Sequence, residues 1–377
     1  MSKDEFLRYE EDFHAKDRKM HRKERKEASQ KDRSKYKKSD QDQKKKLALD
    51  SLPLEKDETL SKGLVLAVTS EGIAVTCENH IYLCSLKGNL KQEKSRNKNL
   101  IVVGDEVLFT PQNQTEGVIA QIEKRHSILS RADNLSRRKQ QLIAVNINQV
   151  LIASSVLLPP IKPYLIDRYI IAAKKGNLTP IIIINKIDLL DTPPKEVPAE
   201  EVEKEKRLYE ELLVIYRDLQ IPVYPVSAKT GQGIEELKKA MQNTTSVFSG
   251  QSGVGKSSLI NLVVGTDLPI GNIVEKTSKG SHTTSTAHLL PLATGGFCID
   301  TPGIKSFGIW DLEKKEIQEH FPEIHYYSQN CKFPDCRHMH EPGCAVIKAV
   351  EDNLISSLRF ASYSALIEDL SKEHQNR

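Results

Sequence analysis

Nine consecutive residues, Gly250-Gln251-Ser252-Gly253-Val254-Gly255-Lys256-Ser257-Ser258, have the types and spacing to hold a polyphosphate. They fit G-x-x-x-x-G-K-[ST], in which glycines let the backbone wrap closely enough for successive N–H groups to face phosphate oxygens. A helix opening at Lys256 adds its N-terminal partial positive charge. Lys256 then reaches the β- and γ-phosphates, and the Ser257 hydroxyl holds Mg²⁺. The chemistry implied is transfer or hydrolysis of a terminal phosphoryl group.

The base is specified by a second set of residues. Ile181-Ile182-Ile183-Ile184 reads as a buried parallel strand, and Asn185-Lys186-Ile187-Asp188 follows at its carboxyl end, where open α/β sheets bind ligands. The Asp188 carboxylate can accept from guanine N1 and the exocyclic amine, whereas adenine would leave it unpaired. Val223 to Val226 is the next strand, ending in Ser227-Ala228-Lys229 as a second guanine-contacting loop. GTP is therefore the expected ligand.

After a further strand, Gly296 to Ile299, stands Asp300-Thr301-Pro302-Gly303. Asp300 suits a water-mediated Mg²⁺ contact, and the Gly303 N–H suits a sensor of the γ-phosphate. Ile304 occupies the position where many GTPases orient the attacking water with glutamine, and it cannot hydrogen-bond water. His282, beside Thr283-Thr284, is the candidate catalytic group within the chain. The alternative is a group supplied by a partner. Thr284 is assigned to Mg²⁺, with Thr283 the second choice.

Cys331, Cys336, His338 and Cys344 give C-x₄-C-x-H-x₅-C, the donor set of a closed, structural Cys₃His zinc site. His340 is the alternative imidazole. No secretory signal is read at the N-terminus, so a disulfide framework is the weaker reading of the six cysteines. Cys77, Cys84 and Cys298 fall in strand patterns, as small buried hydrophobes.

These residues need elements to position them. Thr245 to Phe248 reads as the strand entering the phosphate loop, and Leu259 to Val264 as the helix leaving it. Pro193 to Glu205 reads as a charged connection before a helix through Leu208, Leu212 and Ile215. Upstream, Gly63–Thr69, Ile73–Cys77, Ile81–Leu86, Val103–Thr110 and Val118–Arg125 are five short strand-like runs separated by turn chemistry, the pattern of an OB-type barrel. Arg131, Arg137, Arg138 and Lys139 form a basic stretch just after it.

Residues 1 to 46 hold 17 Lys and Arg against 11 Asp and Glu, a local net of +6. The whole chain of 377 residues carries +4, which leaves −2 for the remainder. A tail this polar is expected to be disordered when free and suits a phosphate-rich partner. No run of apolar residues is long enough to span a bilayer, so no membrane contact is expected; no self-association segment stands out, and a cytoplasmic monomer is expected.

In most GTPases the phosphate loop precedes the guanine-reading segments, whereas here it follows NKID and SAK and precedes HTT and DTPG. With CKFPDCRHMHEPGC at the end, Val102-Val103-Gly104-Asp105 in the barrel and Ala144 to Val150 entering the next unit, the chain resembles the family of circularly permuted, ribosome small subunit-dependent GTPase A proteins. The resemblance implies an α/β protein: a permuted P-loop GTPase domain with an N-terminal OB barrel and a C-terminal helical zinc domain. It divides the chain into a basic extension (1–58), the barrel (59–127), the GTPase (128–310) and the zinc module with its C-terminal helix (311–377). It further implies late maturation of the small ribosomal subunit, binding to that subunit and its rRNA, and hydrolysis of GTP to GDP and phosphate, stimulated by the subunit. Mg²⁺ with GTP and one structural Zn²⁺ are the implied cofactors.

Overall fold

The computed structural model describes residues 60–78, 80–88, 90, 100–133, 136–265, 287–300 and 314–375. Five strands come first: β1 (Ser61–Val68), β2 (Ile73–Cys77), β3 (His80–Leu86), β4 (Glu106–Pro111) and β5 (Glu116–Ile122). β1 pairs with both β2 and β4, β3 runs parallel to β5, and β5 pairs with β4, so the sheet closes into a barrel. Buried residues alternate with more open ones along β4 and much of β5, and Val65, Val75, Val107, Phe109 and Ile119 are fully buried in the interior.

One expected strand begins later than its residue types suggest. Val103 to Asp105 form a turn ahead of β4 because Gly104 adopts φ 88° and the buried Asp105 carboxylate accepts from the Val102 N–H at 2.8 Å. Arg125 closes the same carboxylate with Nε at 2.7 Å and Nη2 at 2.8 Å, a bidentate pair across the barrel's base. The basic stretch that follows lies in a two-stranded ribbon, β6 (Ile128–Asp133) and β7 (Ser136–Val145).

The second half of the sheet comprises β8 (Gln149–Ser155), β9 (Thr179–Asn185), β10 (Val223–Pro225), β11 (Thr244–Gly250), β12 (His288–Pro291) and β13 (Gly296–Asp300). Their spatial order is β10-β9-β8-β11-β13-β12, parallel except for β12. β8 is buried at every position, as a strand covered on both faces must be. β11, which leads into the 250–258 loop, lies centrally between β8 and β13, although β8, β9 and β10 all precede it in the chain. β1 also pairs with β12 through Ala67 and His288, so barrel and GTPase strands form one eleven-stranded sheet.

Helices α1 (Pro163–Lys175), α2 (Asp188–Asp191), α3 (Ala199–Asp218), α4 (Ile234–Met241) and α5 (Lys256–Val264) accompany these strands. α1 opens on proline at its first turn and closes with Lys174 and Lys175, both favourable at those ends. It buries residues on two sides: Ile166 and Ile170 join the sheet's core, while Ile171 enters a separate C-terminal core. α3 starts at Ala199, so the stretch read as a connection up to Glu205 is helical from its middle onward. Pro198 and the acidic first turn of Glu200 and Glu201 explain the start.

The C-terminal module is built from α6 (Lys314–Glu319), α7 (Pro322–Ser328), α8 (Ala345–Glu351) and α9 (Ser357–Gln375). Phe321, Ile324, Val346 and Tyr363 form its centre, with Phe321 edge-on to Tyr363 at 5.6 Å.

Candidate nucleotide site and metal centre

β11 delivers the phosphate loop at the carboxyl end of the sheet. Gly250 has φ 138°, and a Cβ there would lie 2.1 Å from the Ala153 carbonyl oxygen of neighbouring β8, so no side chain fits. Gly255 has φ 94°, and its Cβ would meet the Asn185 amide at 2.5 Å. Val254 is buried and anchors the loop between the exposed Ser252, Gly253, Ser257 and Ser258. Lys256 opens α5 and folds back over the loop, donating to the Gly250 carbonyl at 2.8 Å and the Gln251 carbonyl at 2.6 Å. Those carbonyls keep the ammonium over the cradle.

The 185–188 segment meets this loop directly. Asn185, buried at the end of β9, donates to the Val254 carbonyl at 2.8 Å, 69 residues away, and accepts from the Ala228 N–H at 3.0 Å. Its amide is thus spent joining the phosphate loop to the 227–229 loop. Lys186, at φ 65°, donates to the Gly253 carbonyl at 2.7 Å and to the Leu158 carbonyl. Burial holds its ammonium below the ordinary lysine range, against the opposing pull of Asp188. Asp188 accepts from the Ser227 hydroxyl at 2.6 Å through one carboxylate oxygen. Ser227 is fully buried and also accepts from the Thr230 N–H at 3.1 Å, which shapes the loop that ends in the exposed Lys229.

Three segments scattered along the chain therefore share one hydrogen-bonded site. Asp300 closes β13, whose Ile299 pairs with Val247 beside the loop, and its side chain lies outside the described residues. His282, Thr283, Thr284 and Gly303 also lie outside them. The sequence reading overlooked the turn after β8. Its Leu158 carbonyl receives Lys186, and its Pro159 ring lies 3.6 Å from where a Gly253 Cβ would stand. The adjacent Pro159-Pro160 is the one local signal that this turn is shaped.

The C-terminal module gathers Cys331, Cys336, His338 and Cys344, whose donor atoms all lie within 4.8 Å of one another. His338 Nδ1 stands 3.5 Å from Cys331 Sγ and 3.4 Å from Cys344 Sγ, and the two sulfurs are 3.8 Å apart. Its Nε2 faces the side-chain amide oxygen Oε1 of Gln318 on α6 at 3.3 Å, which turns Nδ1 toward the sulfurs. His340 remains exposed outside the group. Burial, and then the crowding of Cys344 and Cys331, push the Cys336 thiol up to about 12. Thiols so placed ionise readily only beside a cation, and three sulfurs with one imidazole suit a tetrahedral metal ion. Glu341 accepts from the backbone N–H groups of Arg337, Met339 and His340 at 2.9, 2.8 and 3.1 Å, which fixes the loop carrying His338.

A family model described as RsgA GTPase matches residues 122–310, and another described as RsgA N-terminal domain matches residues 62–119. The small ribosomal subunit biogenesis GTPase RsgA of Ectopseudomonas mendocina is 38% identical over 317 residues, covering 82% of this chain and 86% of that protein. The protein of the same name from Shewanella oneidensis is 40% identical over 309 residues, with 80% and 81% covered. Among solved structures, YjeQ from Thermotoga maritima matches with a TM-score of 0.63 at 32% identity, over 83% of this chain and 99% of that one. YloQ, described as a circularly permuted GTPase, matches with a TM-score of 0.62 at 26% identity, over 85% and 99%. With its 185–188 and 227–229 segments ahead of the 250–258 loop on one sheet, a five-stranded barrel before them and a Cys₃His group behind, the chain belongs to the RsgA GTPase family.

Proposed function

We propose that this GTPase acts in maturation of the small ribosomal subunit, binding the subunit's rRNA and hydrolysing GTP to GDP and phosphate with subunit-stimulated turnover. The observation that carries the nucleotide reading is the pair of ties from Asn185 to Val254 and from Lys186 to Gly253. They bring the base-reading and phosphate-binding segments into a single rigid cradle. The partner follows from the names of the relatives, and the basic ribbon of β6 and β7 supports it.

In this reading Asp188 accepts from the guanine edge with the carboxylate oxygen that Ser227 leaves open. The backbone N–H groups of Gly250 to Ser258 cradle the phosphates. Lys256 exchanges the Gly250 and Gln251 carbonyls for β- and γ-phosphate oxygens. Ser257, Thr284 and Asp300 would hold Mg²⁺, which supplies charge neutralisation at the bridging oxygens when bound. Gly303 senses the γ-phosphate and His282 orients the attacking water. Cys331, Cys336, His338 and Cys344 would hold one Zn²⁺, with no position left open for catalysis, so its role is to stabilise the module. Barrel, GTPase and zinc module divide the chain near residues 127 and 310.

Sedimentation with isolated ribosomal subunits, run with GTP analogue, GDP and no nucleotide, tests the proposal. Nucleotide-dependent comigration with the small subunit, together with turnover that rises on its addition, is the expected result. Equal association in all three conditions, or turnover indifferent to the subunit, would overturn it.

A further inference from the structure

The turn between β8 and α1 is held in an unfavourable conformation. Leu158 has φ 51°, left-handed backbone that a leucine adopts only when its surroundings demand it. Its side chain is 53% exposed, so apolar burial is not the demand. Its carbonyl, however, is one of the two acceptors that hold Lys186, the other belonging to Gly253 of the phosphate loop. Three ties fix the turn. The Ser155 hydroxyl donates to the Pro159 carbonyl at 2.7 Å, the Val156 N–H donates to the Asn185 carbonyl at 3.1 Å, and Glu205 accepts from the Ile161 N–H at 3.1 Å.

Glu205 is the unusual member. It lies on α3, is only 6% exposed, and its carboxyl is raised above the usual range by burial, partly offset by the Ile161 N–H. A glutamate placed on a helix surface would be solvated, whereas this one is turned inward at a cost. We propose that Glu205 is a positioning residue of the nucleotide site: by holding the Ile161 end of the turn it aims the Leu158 carbonyl at Lys186, and so sets where Lys186 places Gly253. Glu205 touches no substrate; it acts through the turn and the lysine. The inference rests on the nucleotide reading given above.

Binding of fluorescent methylanthraniloyl-GDP and GTP turnover test it in the full chain. Glu205→Leu removes the acceptor and is expected to weaken GDP binding and raise KM about tenfold, the scale of one buried hydrogen bond, with kcat within about twofold. Glu205→Gln keeps an acceptor without charge and is expected to restore wild-type binding to within about twofold. In a Lys186→Met background, Glu205→Leu should add less than about twofold, because the two act in series. Should Glu205→Leu not fold by circular dichroism, Ser155→Ala loosens the same turn from its other end and is expected to weaken GDP binding about threefold. The proposal is overturned if Lys186→Met weakens GDP while Glu205→Leu, or Ser155→Ala in its place, does not. It is also overturned if the Glu205 and Lys186 effects multiply in full. A wild-type chain that binds no guanine nucleotide would overturn the nucleotide reading itself and this inference with it, whereas a Lys186→Met variant that binds GDP normally would overturn this inference and leave the nucleotide reading standing.

Discussion

Arg359 of α9 donates to Asp167 of α1, and the two side chains are 5% and 1% exposed. The guanidinium also reaches Glu323 of α7 at 2.7 Å and stacks over Phe321 at 4.1 Å, while Tyr216 of α3 donates to Asp167 at 2.9 Å. One buried arginine thus joins α1 and α3, which flank the strands, to the C-terminal module that carries the Cys₃His group.

Removing one partner of a buried pair leaves an uncompensated charge, which is far costlier than replacing both. Arg359→Met is expected to destabilise the protein by about 3–5 kcal/mol, read by chemical denaturation. Arg359→Met combined with Asp167→Leu should recover part of that loss. A single variant as stable as the wild type would show that the pair does not hold the modules together.

Asp188→Asn exchanges an acceptor for a mixed group at the base-reading position. GTP affinity should fall by about 10- to 100-fold, and preference should move toward xanthine nucleotides. Competition between GTP and xanthosine triphosphate for one fluorescent ligand measures both. Unchanged GTP affinity would refute the role given to Asp188.

Lys256→Ala removes the cation held over the 250–258 loop, and Ser257→Ala removes the hydroxyl proposed as a ligand for Mg²⁺. Each is expected to lower turnover by about 10²–10³-fold or more, as loss of a preorganised transition-state contact does. A phosphate-release assay decides, and retained activity in either variant removes the assignment.

His282→Ala should reduce kcat by roughly 10²–10⁴-fold with GTP affinity nearly unchanged, the pattern of a lost acid–base or water-orienting group. The comparison is made with the small subunit present. Near-normal stimulated turnover would move the role to a group on the subunit.

Cys331→Ser should abolish stoichiometric zinc in elemental analysis and loosen α6 to α9, since structural zinc contributes roughly 10–16 kcal/mol to small folds of this kind. Binding of GTP should persist, because the phosphate and base segments hang on the sheet. Zinc retained at one equivalent would exclude Cys331 as a ligand.

The motifs were legible because their chemistry is local: a glycine loop, a strand-end NKID and four spaced donors each declare themselves within a dozen residues. Fold class followed from their order. What escaped was tertiary. Glu205 reads as one more charge in a charged stretch until α3 packs its face inward, although Pro198 and the acidic turn after it marked a helix start. β8 and the Leu158 turn carry no motif, yet they hold the lysine. Between His338 and His340, spacing allowed either, and the fold selects the first: His338 is buried with Nδ1 toward the sulfurs and Nε2 on the Gln318 side chain, while His340 is exposed.

The central place of β11 also bears on how the chain is made. Its pairing with β8 joins Gln149 to Ser246, and Gln149 further donates to the Ser246 hydroxyl at 2.9 Å, from a position 97 residues earlier in the chain. During synthesis β8, β9 and β10 emerge first, with the inner edge of β8 unpaired until the phosphate-loop strand arrives. That edge belongs to a strand buried along its whole length in the folded sheet, and until it is paired its open backbone groups invite mispairing. Pairing of that edge therefore waits for residues 244 to 250, the strand that also delivers the 250–258 loop.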